Sequence, residues 1–112
     1  MNSYRYGLFA EYFIIFYLFI RGYRILARRY KTKLGEIDII ATKKDNLVAF
    51  EIKARKGKGL TTEIVNNRQL LRINNALRFF LYKNNKYLDY NILIYIILYK
   101  NIFNFKIFKQ EE

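Results

Sequence analysis

Two short runs, Glu36 to Ala41 and Leu47 to Ala54, are built on apolar residues that fit a period of two, and they flank the polar stretch from Thr42 to Asn46. That pattern specifies a β-hairpin. Its register is tightly held, because a slip of one residue would turn the apolar side chains of one strand outward. On the second strand Val48, Phe50, Ile52 and Ala54 point one way and Leu47, Ala49, Glu51 and Lys53 the other. On the first, Ile37, Ile39 and Ala41 are expected to share a face opposite Glu36, Asp38 and Ile40. If Lys43 to Asn46 form the loop, Thr42 pairs with Leu47 and Asp38 lies across from Glu51. If the loop is only Asp45-Asn46, Asp38 lies across from Lys53. Both registers gather Asp38, Glu51 and Lys53 on one face.

Glu36, Asp38 and Glu51 are three of only nine acidic residues in the chain, and each is set among Ile, Val, Ala or Phe, where an unpaired charge is costly. Two adjacent carboxylates repel unless a cation lies between them, and oxygen ligands of this kind suit Mg²⁺ or Mn²⁺. A lysine two residues beyond Glu51 can position a water or stabilise negative charge building at phosphorus. This is the layout of a metal-dependent phosphodiesterase. The same three residues also fit a cross-strand salt bridge between Lys53 and an acid on a solvated sheet face. Spacing leaves both readings open.

The string GEIDIIA, followed by LVAFEIKAR, resembles the signature of the YraN-like family of small uncharacterised bacterial proteins, which are similar to archaeal Holliday junction resolvases within the PD-(D/E)xK nuclease superfamily. Further matches are Gly7 and Glu11 to a G-x-x-x-E start, Gly22-Tyr23-Arg24-Ile25-Leu26 to a GYxIL segment, and Arg68-Gln69 to a K-Q pair. The resemblance implies an α/β fold with a restriction-endonuclease-like core, a mixed five-stranded sheet flanked by helices in the order αβββαββ. It implies Asp38 and Glu51 as ligands of Mg²⁺ or Mn²⁺ together with the Ile52 carbonyl, and Lys53 as the residue orienting the attacking water. An acid on the first helix faces the metal site in such relatives, which makes Glu11 a fourth catalytic candidate. A salt bridge from Glu11 to an arginine such as Arg24 or Arg28 is the structural alternative. Gln69 matches a glutamine that supports the site. The family usually has aspartate where Asn91 stands, so that position loses its claim to a site role.

No cysteine and no histidine occur, which removes zinc sites, thiol nucleophiles and a histidine base and leaves carboxylates, lysine and metal-bound water for chemistry. The absence of disulfides fits a cytoplasmic protein. A formal charge of +12 points to a polyanion, DNA or an anionic membrane surface. Biased composition, rich in Lys, Asn, Ile and Tyr, would give a similar number. Basic residues before the hairpin, Arg28, Arg29, Lys31 and Lys33, and after it, Arg55, Lys56 and Lys58, are candidates for holding phosphates, as are Arg68, Gln69 and Arg72 further on. A solvated, charge-protected edge strand accounts equally for the first group.

The apolar run LFAEYFIIFYLFI spans thirteen residues including Glu11, short of the roughly 20 that a bilayer crossing needs, and is expected to be a buried first helix within 4–20. Gly22 suits its C-terminus. A strand is expected over 23–32. From Thr62, a plausible N-cap, to Asn84 the pattern turns helical, with Val65, Ile73, Ala76, Leu77, Phe80 and Leu81 facing inward and Arg68, Arg72 and Asn75 forming a polar ridge. Tyr90 to Tyr99 reads as a strand buried on both faces and 102–108 as a more exposed one. A chain of 112 residues reads as one domain. The expected function is a Mg²⁺-dependent endonuclease on DNA, with branched or repair-related substrates. A nucleic-acid binder of the same fold that does not cut is the alternative. A junction cutter would be expected to form a symmetric homodimer.

Overall fold

The structure is a computed structural model describing residues 2–56 and 66–110. The elements are α1 (Ser3–Ile20), β1 (Arg24–Thr32), β2 (Gly35–Lys43), β3 (Asn46–Ala54), α2 (Asn67–Lys83), a single 3₁₀ turn (Asn85–Tyr87), β4 (Asn91–Asn101) and β5 (Asn104–Lys109). The five strands form one sheet in sequential order. All neighbours are antiparallel except β3 and β4, whose parallel pairing is reached by the crossover that carries α2. This is the α/β, mixed five-stranded arrangement expected, in the expected order.

Thr42 pairs with Leu47 and Lys43 with Asn46, so Lys44 and Asp45 alone make the turn; this is the register that sets Asp38 across from Glu51. Lys44 takes the left-handed conformation there, φ 55°. The β2–β3 ladder runs from that turn to Ile39 and Phe50 and stops. Beyond this point Ile37 sits in the layer under α2 with Ile40, whereas Ile39 and Ala41 lie under α1. The expected common face for Ile37, Ile39 and Ala41 is therefore broken at Asp38. On β1 the partners step from Arg28 with Ile39 to Tyr30 with Ile37, and Arg29 between them has φ 51°. Both strands change sidedness across the Arg29–Asp38 position, an irregularity that alternation alone could not signal.

One face of the sheet packs Val48, Phe50, Ile97 and Tyr99 against Ala10, Ile14 and Leu18 of α1. The other packs Ile40, Leu47, Ala49, Ile96 and Leu98 against Ile73, Ala76, Leu77 and Phe80 of α2. These inward residues of α2 are those its periodicity marks, with Leu81 partly buried; Val65 and Thr62 lie outside the described residues. The N-cap of α2 is Asn66, extended at φ −72° and ψ 166°, whose side chain accepts from the Gln69 N–H. Gly22, at φ 94°, follows α1 as expected. Gly35 has a different reason: a Cβ there would fall 1.8 Å from the Arg72 carbonyl oxygen, so α2 crosses β2 at backbone contact.

The first helix departs from expectation. Only Ala10, Glu11, Ile14 and Leu18 are buried, and the opposite side exposes aromatic side chains. In β4 burial on both faces is confined to 96–99, and Phe103 belongs to the exposed turn before β5 rather than to a strand.

Candidate functional site

Where the β2–β3 ladder ends, the Asp38 side chain takes over from the backbone: its Oδ2 accepts the Ile52 N–H at 2.7 Å. The two strands part there without leaving that donor bare. On the next position of β3, Glu51 points to the α2 side, as its alternation with Ala49 and Phe50 requires. Gln69, in the first turn of α2, donates from Nε2 to Glu51 Oε2 and accepts at Oε1 from Lys53 Nζ at 3.0 Å. Lys53 Nζ lies 3.8 Å from Glu51 Oε2. The Asn66 cap fixes the turn of helix that carries Gln69. Asp38, Glu51 and Lys53 are thus brought together as their spacing implies, with Gln69 as the connecting group, and Ile52, which the resemblance adds, meets Asp38 through its N–H. The resemblance singles out Gln69 as a supporting residue, but its own surroundings in the sequence do not, because only the α2–β3 packing sets it over the two β3 side chains.

Burial pushes the Glu51 carboxyl up to about 9, and the Asp38 carboxyl beside it adds to the rise through a hydrogen bond and like-charge repulsion, while the Lys53 ammonium offsets part. The Asp38 and Glu51 carboxyls are thus in hydrogen-bond contact, and of the two it is Glu51 that burial drives toward the protonated form.

A fit to a divalent metal can be judged on the donors. Asp38 Oδ2 accepts from the Ile52 N–H and Glu51 Oε2 from Gln69, and the two carboxyls also hydrogen-bond to each other, a bond that a metal between them would replace. Hard oxygen donors in this number suit Mg²⁺ or Mn²⁺, which keep several waters and use one or two carboxylates. Among the described residues no group of three or more acidic side chains gathers. Glu11 is accordingly not drawn in with Asp38 and Glu51.

Glu11 is buried and bonded instead to two arginines, Arg28 Nε at 3.4 Å from Oε1 and Arg29 Nε at 3.0 Å from Oε2. Consecutive residues of a regular strand point to opposite faces, so both can reach one carboxylate because Arg29 is left-handed. Arg28 also lies 4.9 Å over the Tyr12 ring. The salt-bridge alternative for Glu11 holds, with Arg29 as the partner that sequence reasoning missed. Arg29 nonetheless lines a cleft of about 240 Å³ with Tyr4, Lys31, Glu36, Ile37 and Asp38. Lys31 is one of the basic residues expected to lead into the site, whereas Tyr4 was not expected, since nothing in its local pattern sets it apart.

The remaining basic candidates are exposed. Arg55 donates to the Ala54 carbonyl at 3.0 Å, and Lys56 Nζ lies 5.1 Å over the Tyr6 ring. Arg68 and Arg72 stand on the exposed side of α2. Lys58, and the glycine-lysine stretch around it, lie outside the described residues. Asn91 pairs with Asn46 at the opposite end of β3 from Glu51.

A family profile described as "Uncharacterised protein family UPF0102" matches residues 10–98. A UPF0102 protein of Agrobacterium fabrum is 49% identical over 72 residues, 64% of this chain and 59% of that protein. A UPF0102 protein of Rhizobium etli is 46% identical over the same shares. One from a Chelativorans species is 41% identical over 86 residues, 77% of this chain and 69% of its own length. The matches thus span about 59% of the length of the first two relatives. No activity is named for any of them.

Proposed function

The chain belongs to the uncharacterised protein family UPF0102, and from its site we propose that it is a Mg²⁺- or Mn²⁺-dependent endonuclease hydrolysing phosphodiester bonds of DNA on a restriction-endonuclease-like core. The observation that supports this reading is the Asp38–Glu51 pair, with the Glu51 carboxyl raised to about 9 beside Asp38 and tied to Lys53 through Gln69. A salt bridge made for stability would pair one acid with one base. Here two acids are in contact and the lysine stands 3.8 Å from one of them, Glu51, an arrangement that a cation between the acids would relieve.

Asp38 and Glu51 would hold the metal with carboxylate oxygens once the proton between them is displaced, and the resemblance adds the carbonyl of Ile52, whose N–H Asp38 already fixes. When bound, the metal supplies charge neutralisation at the phosphate and a more acidic water. Lys53 has the charge and reach to orient that water or to stabilise negative charge growing on the phosphoryl oxygens. Gln69 holds Glu51 and Lys53 in fixed relation, which limits how far either can swing. Arg29 and Lys31, on the wall of the cleft beside Asp38, offer cations to a phosphate that the acids would otherwise repel. Branched or repair-related DNA is the substrate class the resemblance favours.

The test is cleavage of single-stranded, duplex, flapped and four-way DNA with Mg²⁺ or Mn²⁺ and in chelator. Activity should require metal, and Asp38→Ala, Glu51→Ala and Lys53→Ala should each lower it about 10²-fold. Equal rates in all three variants would remove the site from the chemistry. Binding without cleavage by the parent would assign the non-cutting alternative.

A further inference from the structure

The sheet covers one side of α1 and leaves an apolar stripe on the other. Phe9, Tyr12, Phe16, Phe19 and Ile20 are 48, 55, 62, 70 and 63% exposed. Their spacing of three, four and three residues, closed by Ile20, is that of a heptad seam, and it runs along one face of the helix. Between Tyr6 and Ile20 the sole charged residue is Glu11, which is buried on the sheet side. The stripe carries no charged residue of its own helix, and at its Tyr12 edge Arg28, paired to Glu11, lies 4.9 Å over the ring.

We propose that this stripe is a dimer interface, packing α1 of one protomer against α1 of a second copy. Phenylalanine and tyrosine side chains offer about 150–250 Å² each, so four of them around 60% exposed, with Ile20 beside them, come to roughly 500–600 Å² per protomer. Doubled, that clears the ~1,000 Å² below which specific interfaces are rare. It also stands at the upper end of the apolar patches of about 300–600 Å² that monomers tolerate. A twofold contact needs a patch that complements itself, and a stripe whose one neighbouring cation, Arg28 at Tyr12, is already paired to Glu11 sets little net charge against its own copy. This inference is independent of the metal site and of DNA cleavage.

Sedimentation equilibrium of the full chain at about 1–100 µM tests it, with Phe16→Glu and Phe19→Lys as variants. Both residues point away from the sheet, so unchanged circular dichroism and Tm should accompany the substitutions. The expected result is a parent of twice the chain mass and variants that associate at least about 10-fold more weakly. A parent that stays monomeric over the range overturns the proposal. So does a dimer that both variants leave intact. Flotation of the monomeric parent with anionic vesicles, lost in Phe16→Glu, would give the stripe to a lipid surface and overturn it as well.

Discussion

At Glu51 the carboxyl titrates near 9 in the fold and near 4.5 in an open chain, so the metal-free fold binds its proton more tightly than the unfolded chain does. That contribution to stability is complete below the unfolded value and is lost as pH rises through the folded one. The metal-free protein should lose Tm between about pH 5 and 9, and Glu51→Gln, which mimics the protonated form, should flatten the profile. Even about 1 kcal/mol of this effect corresponds to roughly 4 °C in a chain of this size. A metal must displace the same proton, so the Tm gain from Mg²⁺ should be larger at high pH; thermal melts with and without Mg²⁺ check both expectations. Glu11 poses a separate question. If it serves only to hold Arg28 and Arg29, Glu11→Gln should lower stability by about 1–3 kcal/mol, the range for hydrogen bonds to charged groups, and leave the Mg²⁺-induced Tm rise intact. A loss of that rise with normal folding would make Glu11 part of the metal site after all.

Between elements, the closest approach is α2 over β2 at Gly35, and it carries a prediction of its own. A methyl at Gly35 meets the Arg72 carbonyl carbon and oxygen, which are backbone and cannot step aside, so Gly35→Ala should cost about 2–3 kcal/mol, as forced overpacking does. Gly7→Ala is the control: nothing lies within 4 Å of the added carbon, and a helical alanine should gain roughly 0.5–1 kcal/mol. Urea unfolding of the two variants measures the contrast. This contact was not legible in the sequence, where Gly35 only marks the start of a strand. What was legible followed from period: the β2–β3 hairpin, its register as one of two, the inward face of α2 and the Asp38, Glu51 and Lys53 grouping all rest on alternation or helical spacing. Alternation failed where the backbone does, at Asp38 and Arg29. It could not foresee that Ile37 would change sides or that two neighbouring arginines would share Glu11. On α1 the run was apolar all round, so its pattern gave no clue to which side the sheet would cover.

For the whole molecule, the sum of charge matters less than which charges remain available. Arg28 and Arg29 carry two positive charges, but Glu11 cancels one and holds both side chains by their Nε atoms, so the cluster presents about one net charge to a polyanion. Arg68 and Arg72 have exposed side chains one turn apart on α2, flanking Gln69 and thus the Glu51–Lys53 pair. No ion pair within 4.0 Å is formed by either among the described residues. Each phosphate contact contributes about 0.9 to the slope of log affinity against log salt on duplex DNA. Replacing both Arg68 and Arg72 by alanine should therefore lower the slope by up to about 1.8. Replacing Arg28 alone should lower it by less, because its loss also frees part of Glu11 to neutralise Arg29. The two expectations separate by titrating one fluorescent duplex with the parent and each variant from about 50 to 300 mM salt, in chelator so that cleavage cannot intervene. An unchanged slope in the Arg68/Arg72 variant, with a reduced one in Arg28→Ala, would move the phosphate path from the α2 side of the site to the β1 edge.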